Sequence, residues 1–409
     1  MPEVSFGNLL GVATVAFLAP LLLGFVPRLR VPSPVLEILA GVLLGPSVLG
    51  WVRADLPVQI LAVVGLAFLL FLAGLEIDLG ALRGPPLTRS VLGYAITLAV
   101  GAAIGFGLSG AGWVRGPWLI AITLSATSLG LIVPVLKDAG SAHGTVGQLV
   151  IAAASVADFA AILLLSLFFS ASSRSTGGRV ALLVVFAVMI VIFTLAISRA
   201  GRSIRLGDVL QRLQDTTAQI RVRATVLLLL ALVALASRFG LEEILGAFVA
   251  GAVVGLLDRD SASHPHLRTK LEAIGFGFLV PVFFVTSGVR LDLGGLLASP
   301  TALARVPGLL LALLLVRGLA ALAFRGVLTS REIAAAGLLQ ATSLPLIVTA
   351  TQIGVATGRM TSVTAAGLVC AGLLSVMIFP VGALSLLRGG AHPRRDAADP
   401  TGETLAPSP

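Results

Sequence analysis

Residues 126–133 read Ala-Thr-Ser-Leu-Gly-Leu-Ile-Val and residues 341–348 read Ala-Thr-Ser-Leu-Pro-Leu-Ile-Val, seven identities in eight positions at a separation of 215 residues. Two further echoes keep nearly the same offset. Gly74, Asp78 and Gly80 answer Gly288, Asp292 and Gly294 at 214 residues, and Glu37-Ile-Leu39 answers Glu243-Ile-Leu245 at 206. Three matches in one order constrain the chain to two related halves. In each octapeptide a polar Thr-Ser pair beside Gly or Pro interrupts a long apolar stretch. Breaks at matching places in two halves are the sequence signature of a secondary transporter and point to its binding site.

The halves belong in a bilayer. Of 409 residues 57% are hydrophobic and 11% charged, more apolar surface than a water-soluble domain can bury. A spanning helix needs about 20 mostly apolar residues, and only helices or closed barrels satisfy every backbone group in hydrocarbon. Long apolar runs favour helices, expected at 6–26, 34–50, 57–75, 88–110, 117–136, 146–171, 180–198, 222–238, 241–257, 272–289, 305–325, 332–355 and 361–387. That is an all-α polytopic fold of about thirteen transmembrane helices. The first run has Glu3 where a secretory signal carries positive charge, so it reads as a helix. Residues 1–387 read as one transmembrane transporter domain. Residues 388–409 read as a disordered cytoplasmic tail, with no soluble regulatory domain after them.

Twenty-six of the 28 basic residues are Arg, spread over segment ends rather than gathered in a basic domain, which argues against nucleic acid as a partner. They sort the two sides of the membrane instead. With the C-terminus cytoplasmic, 19 basic residues fall on that side and eight opposite. The positive-inside rule then places the N-terminus outside and the C-terminus inside, in an inner or plasma membrane. The densest cluster is Arg199, Arg202, Arg205, Arg212, Arg221 and Arg223, between the halves. The repeats fall on helices 2 and 9, 3 and 10, and 5 and 12. Seven apart is an odd interval, so partners cross in opposite senses: inverted repeats, the geometry of alternating access. The single Cys370 excludes an internal disulfide, and no Cys/His spacing points to a metal centre or cofactor.

The chemistry concentrates in few side chains. Thr127, Ser128, Thr342 and Ser343 flank Gly130 and Pro345. Pro345 lacks an N–H and Gly130 permits unwinding, so both helices are expected to break, cross, and expose carbonyls and helix-end dipoles to an ion. Asp158 lies midway along helix 6. An ionised carboxylate there is costly, so it is a functional group by default, holding a proton or a cation. Ser155, one turn earlier on the same face, is a further oxygen ligand. Arg317, the one basic residue well inside a helix, keeps its proton and needs carbonyl ends or a carboxylate. It offsets the half-helix dipoles or holds Asp158. Glu76 and Asp78, ending helix 3, and Glu242 and Glu243, opening helix 9, read as interfacial charges, with the lining of an ion entrance as the other reading and Glu76 reaching inward as the exception to a single titratable group.

These residues resemble the bacterial monovalent cation/proton antiporters of the sodium/proton exchanger superfamily. The likeness is carried by residues 36–50 (LEILAGVLLGPSVLG), 65–78 (GLAFLLFLAGLEID), 246–251 (GAFVAG) and 281–292 (PVFFVTSGVRLD), with Asp158 and Arg317. The resemblance implies a dimeric thirteen-helix fold in which crossed broken helices move against a dimerisation domain. It also implies proton and sodium or potassium alternating at Asp158, with pH homeostasis as the setting and no covalent reaction. Many relatives carry Asn or Asp before the essential Asp, and this chain has Ala157. One titratable group implies one-for-one, electroneutral exchange. Two other readings share these features: a potassium efflux system with a separate regulatory partner, and a sodium-coupled carrier of organic anions. A sensor or scaffold that moves nothing is a third.

Overall fold

The computed structural model describes residues 6–25, 32–76, 85–138, 140–142, 144–169, 176–201, 219–257 and 266–388. The expected tail, apart from Arg388, and Arg202, Arg205 and Arg212 lie outside these residues, as do Asp78 and Gly80. The described chain is helical throughout, save for one isolated bridge between Arg325 and Leu328. In order come α1 (Gly7–Phe25), α2 (Ser33–Leu44), α3 (Leu56–Leu75), α4 (Pro85–Gly110), α5 (Pro117–Ser125), α6 (Leu129–Asp138), α7 (Thr145–Phe169) and α8 (Thr176–Gly201). The second half holds α9 (Ile220–Arg238), α10 (Glu243–Leu257), α11 (Leu267–Ile274), α12 (Val280–Val289), α13 (Leu293–Ala298), α14 (Pro300–Gly318), α15 (Ser330–Gln340), α16 (Pro345–Ala356) and α17 (Ser362–Arg388). A π-helical turn, Gly275–Leu279, joins α11 to α12, and a 3-10 turn, Leu319–Phe324, extends α14.

This is a multi-pass membrane protein. Among the described residues eight helices are long and apolar enough to cross a bilayer, and nine when the bent pair α15 and α16 counts as one span. Four shorter apolar stretches accompany them: Ser33–Leu44, Pro117–Val133 across α5 and α6, Val180–Ile192 within α8, and Glu243–Leu257. The expectation of about thirteen full-length spans is therefore met only in part. The apolar runs are there, but α2 ends at Leu44 before Gly45, the break at Ala126 to Ser128 divides the run at 117–136, and α10 is 15 residues long. Helix ends carry the usual signals. Asp55 caps α3 by accepting from Val58 N at 3.2 Å, and Thr329 with Glu332 forms a capping box on α15. Along α1 and α8 large apolar side chains such as Phe17 and Ile192 face outward, as lipid-facing residues do.

Long-range packing follows the sequence repeat. α2 packs on α12, and α3 packs on α10. At both seams glycines let backbones touch. A Cβ on Gly288 would collide with the Ile38 carbonyl oxygen, and one on Gly41 with the Val285 carbonyl. A Cβ on Gly74 would collide with the Phe248 carbonyl, and one on Gly251 with that of Phe71. Gly74 and Gly288 are repeat mates, and so are the segments beginning at Glu37 and Glu243. The two seams exchange under the repeat.

Candidate functional site

Both octapeptides are broken helices. α5 ends at Ser125, Ala126 turns to extended backbone (φ −67°, ψ 153°), and α6 resumes at Leu129. α15 ends at Gln340 and α16 starts at Pro345, with a 43° bend across the break. Pro345 occupies the first turn of α16, where its missing N–H leaves no bond unmade. Gly130 does not unwind. It lies inside α6, because the break falls earlier, at Ala126 to Ser128. There the polar side chains find partners across the gap rather than in their own helix.

The two breaks bond to each other. Thr127 Oγ1 donates to the Gln340 carbonyl at 2.8 Å, and Ser343 Oγ donates to the Thr127 carbonyl at 3.5 Å. Ser375 of α17 braces the second break, accepting from Ser343 N at 3.3 Å and donating to the Ser343 carbonyl at 3.2 Å. Such contacts satisfy main-chain groups that a continuous helix would have bonded internally.

Asp158 reaches the first break from α7, whose Ala152, Ala153, Ala154, Ala157 and Ala161 are all buried and keep that face slim. Only 5% of Asp158 is exposed. Its Oδ2 accepts from Leu129 N, the first N–H of α6, at 3.2 Å, so the carboxylate sits at the positive end of a half-helix. Its Oδ1 is buried with no hydrogen-bond partner. Asp158, Thr127, Ser128, Gly130 and Pro345 line one cavity of about 70 Å³. That is several times the roughly 10–15 Å³ that a single water requires.

Four expected site residues lie off this cavity. Ser155 spends its hydroxyl on the Ile151 carbonyl of its own helix at 2.9 Å, and Thr342 does the same with Leu338 at 3.2 Å. Ser343 turns to Thr127 and Ser375. Arg317 is 1% exposed and meets a half-helix end rather than Asp158. Its Nε donates to the Gln340 carbonyl at 3.3 Å, one terminal nitrogen to Gln340 Oε1 at 3.4 Å, and the other to Thr97 Oγ1 at 3.2 Å. A fixed positive charge thus sits at the negative end of α15.

Two residues carry more here than the sequence suggested. Gln340 accepts from Arg317 and Thr127 together, and its place directly before the second octapeptide was the available signal. Glu76, expected at the interface, caps the end of α3 and lines the Asp158 cavity, with Oε2 buried and unpartnered. Among the described residues no group of three His, Cys, Asp or Glu side chains gathers as a metal centre would.

Comparison with known proteins gives the family and a likeness of fold. The putative Na(+)/H(+) antiporter YjbQ of Bacillus subtilis (strain 168) is 34% identical over 369 residues, covering 87% of this chain and 58% of the relative. The Na(+)/H(+) antiporter of Enterococcus hirae is 28% identical over 269 residues, 65% of this chain and 68% of the relative. This chain thus spans little more than half the length of the Bacillus protein. The solved structure of the sodium proton antiporter MjNhaP1 from Methanocaldococcus jannaschii superposes with a TM-score of 0.64 at 19% identity, covering 92% of this chain and 96% of that one, a likeness of fold. The family described as sodium/hydrogen exchanger, transmembrane, matches residues 13–388, and the chain belongs to it.

Proposed function

We propose that this protein is a secondary antiporter that exchanges protons for sodium or potassium, with Asp158 as the group that holds either in turn. The observation that carries this reading is the Asp158 carboxylate, one oxygen tied to the α6 N-terminus and the other unpartnered in a cavity beside two helix breaks. An unpartnered buried carboxylate oxygen is costly, and a proton or a cation removes that cost. The Thr127 and Ser128 region supplies neutral oxygens, of the type sodium and potassium accept. The antiporter names of the Bacillus and Enterococcus relatives support the same reading.

The mechanism follows from charge. A proton and a monovalent cation each neutralise Asp158, so the loaded site is electrically alike in both states and can change its side of exposure, whereas the empty carboxylate is held back by its desolvation cost. Exchange through Asp158 alone is one for one and moves no net charge. Arg317 remains protonated throughout and compensates the α15 end. The four shorter apolar stretches, taken as crossings beside the nine longer spans, give thirteen. Seams that exchange under the repeat support an inverted arrangement of halves with the two breaks crossed. The proposed setting is a homodimer in the plasma or inner membrane, with the N-terminus outside and the C-terminus and the tail in the cytoplasm.

Reconstitution into liposomes with an internal pH dye tests this function, with sodium, potassium and lithium added separately. At least one cation should drive proton efflux from the wild type and none from Asp158→Asn at equal insertion. Wild-type flux retained in Asp158→Asn removes Asp158 from the site. Dependence of flux on a partner protein would favour the potassium efflux system, and flux coupled to an organic anion the carrier reading.

A further inference from the structure

A second cavity, of about 570 Å³, lies between α14, its 3-10 extension and α15, and shares no lining residue with the Asp158 cavity. Its floor is a close approach of the two helices, where a Cβ on Gly337 would lie 3.1 Å from the Gly318 α-carbon. Leu314, Leu315, Leu319, Leu322, Ile333 and Leu338 form apolar walls. Leu315 and Leu319 are 41% and 38% exposed, so the groove opens outward rather than into the core. From Leu314 to Arg325 it runs roughly 15–20 Å along α-helix and 3-10 turn. That is close to half of the roughly 30 Å thickness of a hydrocarbon core, the depth that one leaflet fills.

One end of the groove is positively charged. Arg325 lines it, where the chain turns back through Gly326 (φ +84°) towards α15. A terminal nitrogen of Arg89, on α4, donates to the Arg325 carbonyl at 3.4 Å and brings a second guanidinium to the same end. Arg331 follows, exposed, in the first turn of α15. The acid of that turn, Glu332, accepts from Thr329 N at 2.8 Å and from Thr329 Oγ1 at 2.9 Å, so it is committed to the capping box. Among the described residues neither Arg325 nor Arg89 forms an ion pair. An apolar trough of one leaflet's depth, ending in guanidinium groups that no carboxylate neutralises, is complementary to an acyl chain with an anionic head.

We infer that this groove is a binding site for an anionic phospholipid, with its phosphate on Arg325 and Arg89 and one acyl chain along α14 and α15. On the proposed orientation this end faces the cytoplasm, the side whose leaflet carries the negative surface potential. The chain lies against Gly318 and Gly337, one residue from Arg317 and three from Gln340. A bound lipid therefore braces, from behind, the two helices that bring Arg317 to the end of α15. The site is separate from the exchange site, and its test measures no flux.

The test uses the full chain purified in detergent, with phosphatidylglycerol or phosphatidylcholine of the same acyl chains added in mixed micelles. Phosphatidylglycerol should raise the melting temperature at concentrations where phosphatidylcholine does not. In Arg325→Gln the concentration required should rise about tenfold, as expected for loss of one charge-assisted contact, with the lipid-free melting temperature unchanged. Arg325→Lys keeps the charge without the planar fork and should recover part of the affinity. Ala334→Trp fills the groove from an exposed position and should abolish the lipid effect. Equal stabilisation by the two lipids overturns the inference, because the groove would then be indifferent to charge. An unchanged lipid requirement in Arg325→Gln overturns it as well, whether or not Ala334→Trp folds. Equal stabilisation by inorganic phosphate would mean that an anion suffices and removes the lipid. Loss of self-association in Ala334→Trp, read by light scattering, would assign the groove to a second copy of the chain instead.

Discussion

The Thr127 hydroxyl donates to the main-chain carbonyl of Gln340 at 2.8 Å, and Arg317 donates to the same oxygen at 3.3 Å. One carbonyl at the end of a half-helix thus receives a neutral donor from the opposite break and a charged donor from α14. Replacing Thr127 by Val keeps its shape and removes the donor. We expect a loss of about 1 kcal/mol in thermal stability, the net worth of a buried neutral hydrogen bond. Cation affinity should fall as well, because the break that shapes the cavity loosens. Thermal denaturation in detergent and KM in liposomes measure the two effects, and unchanged values in both would show that the bond organises nothing.

Arg317→Ala should destabilise the protein by about 3 kcal/mol, since the α15 end and Gln340 Oε1 lose a buried charged donor. Arg317→Lys keeps the charge but cannot span Gln340 and Thr97 in one planar fork, so its melting temperature should fall between the two. Equal stability of all three proteins would contradict compensation of the half-helix.

Protons and cations that share Asp158 must compete. At low pH the carboxyl is protonated and a cation must displace the proton, so KM should rise about tenfold for each pH unit lowered. Above the titration point KM should level off. Measuring KM from about pH 6 to 9 tests this, and a KM independent of pH over that range would separate the two sites.

The glycine seams give a prediction about folding rather than transport. Gly288→Ala places a methyl group against the Ile38 carbonyl and should cost about 1–3 kcal/mol as the helices are forced apart. Gly107→Ala on α4 meets nothing within 4 Å and should be neutral or stabilise by up to about 1 kcal/mol. Equal melting temperatures for the two variants would refute the close approach of α2 and α12.

The parts of this site that the sequence made legible are those built on local pattern. The octapeptides located both helix breaks because a Thr-Ser pair beside Gly or Pro stands out in hydrocarbon. Asp158 and Arg317 stood out because charge within an apolar run is costly wherever it points. Glu76 was open to two readings, interfacial charge or inward carboxylate, because a helix-end position does not reveal what packs over it; it lines the Asp158 cavity. Gln340 escaped notice because half of its contribution is a backbone carbonyl, which every residue owns. Gly130 was credited with unwinding, but it lies inside α6, because the break falls at Ala126 to Ser128. Ser155 shares a helical face with Asp158, yet its hydroxyl folds back onto its own backbone, a choice that spacing cannot show.

Where helices touch main chain to main chain, there is no layer of side chains to act as bearings. α2 with α12, and α3 with α10, are keyed in this way: sliding either pair by part of a turn would drive carbonyl oxygens into α-carbons. Rotamer changes cannot absorb such a shift, because the contacts run from glycine α-carbons to main-chain carbonyls. These four helices are therefore locked as two pairs, and a sliding motion meets less resistance at surfaces where side chains separate the backbones.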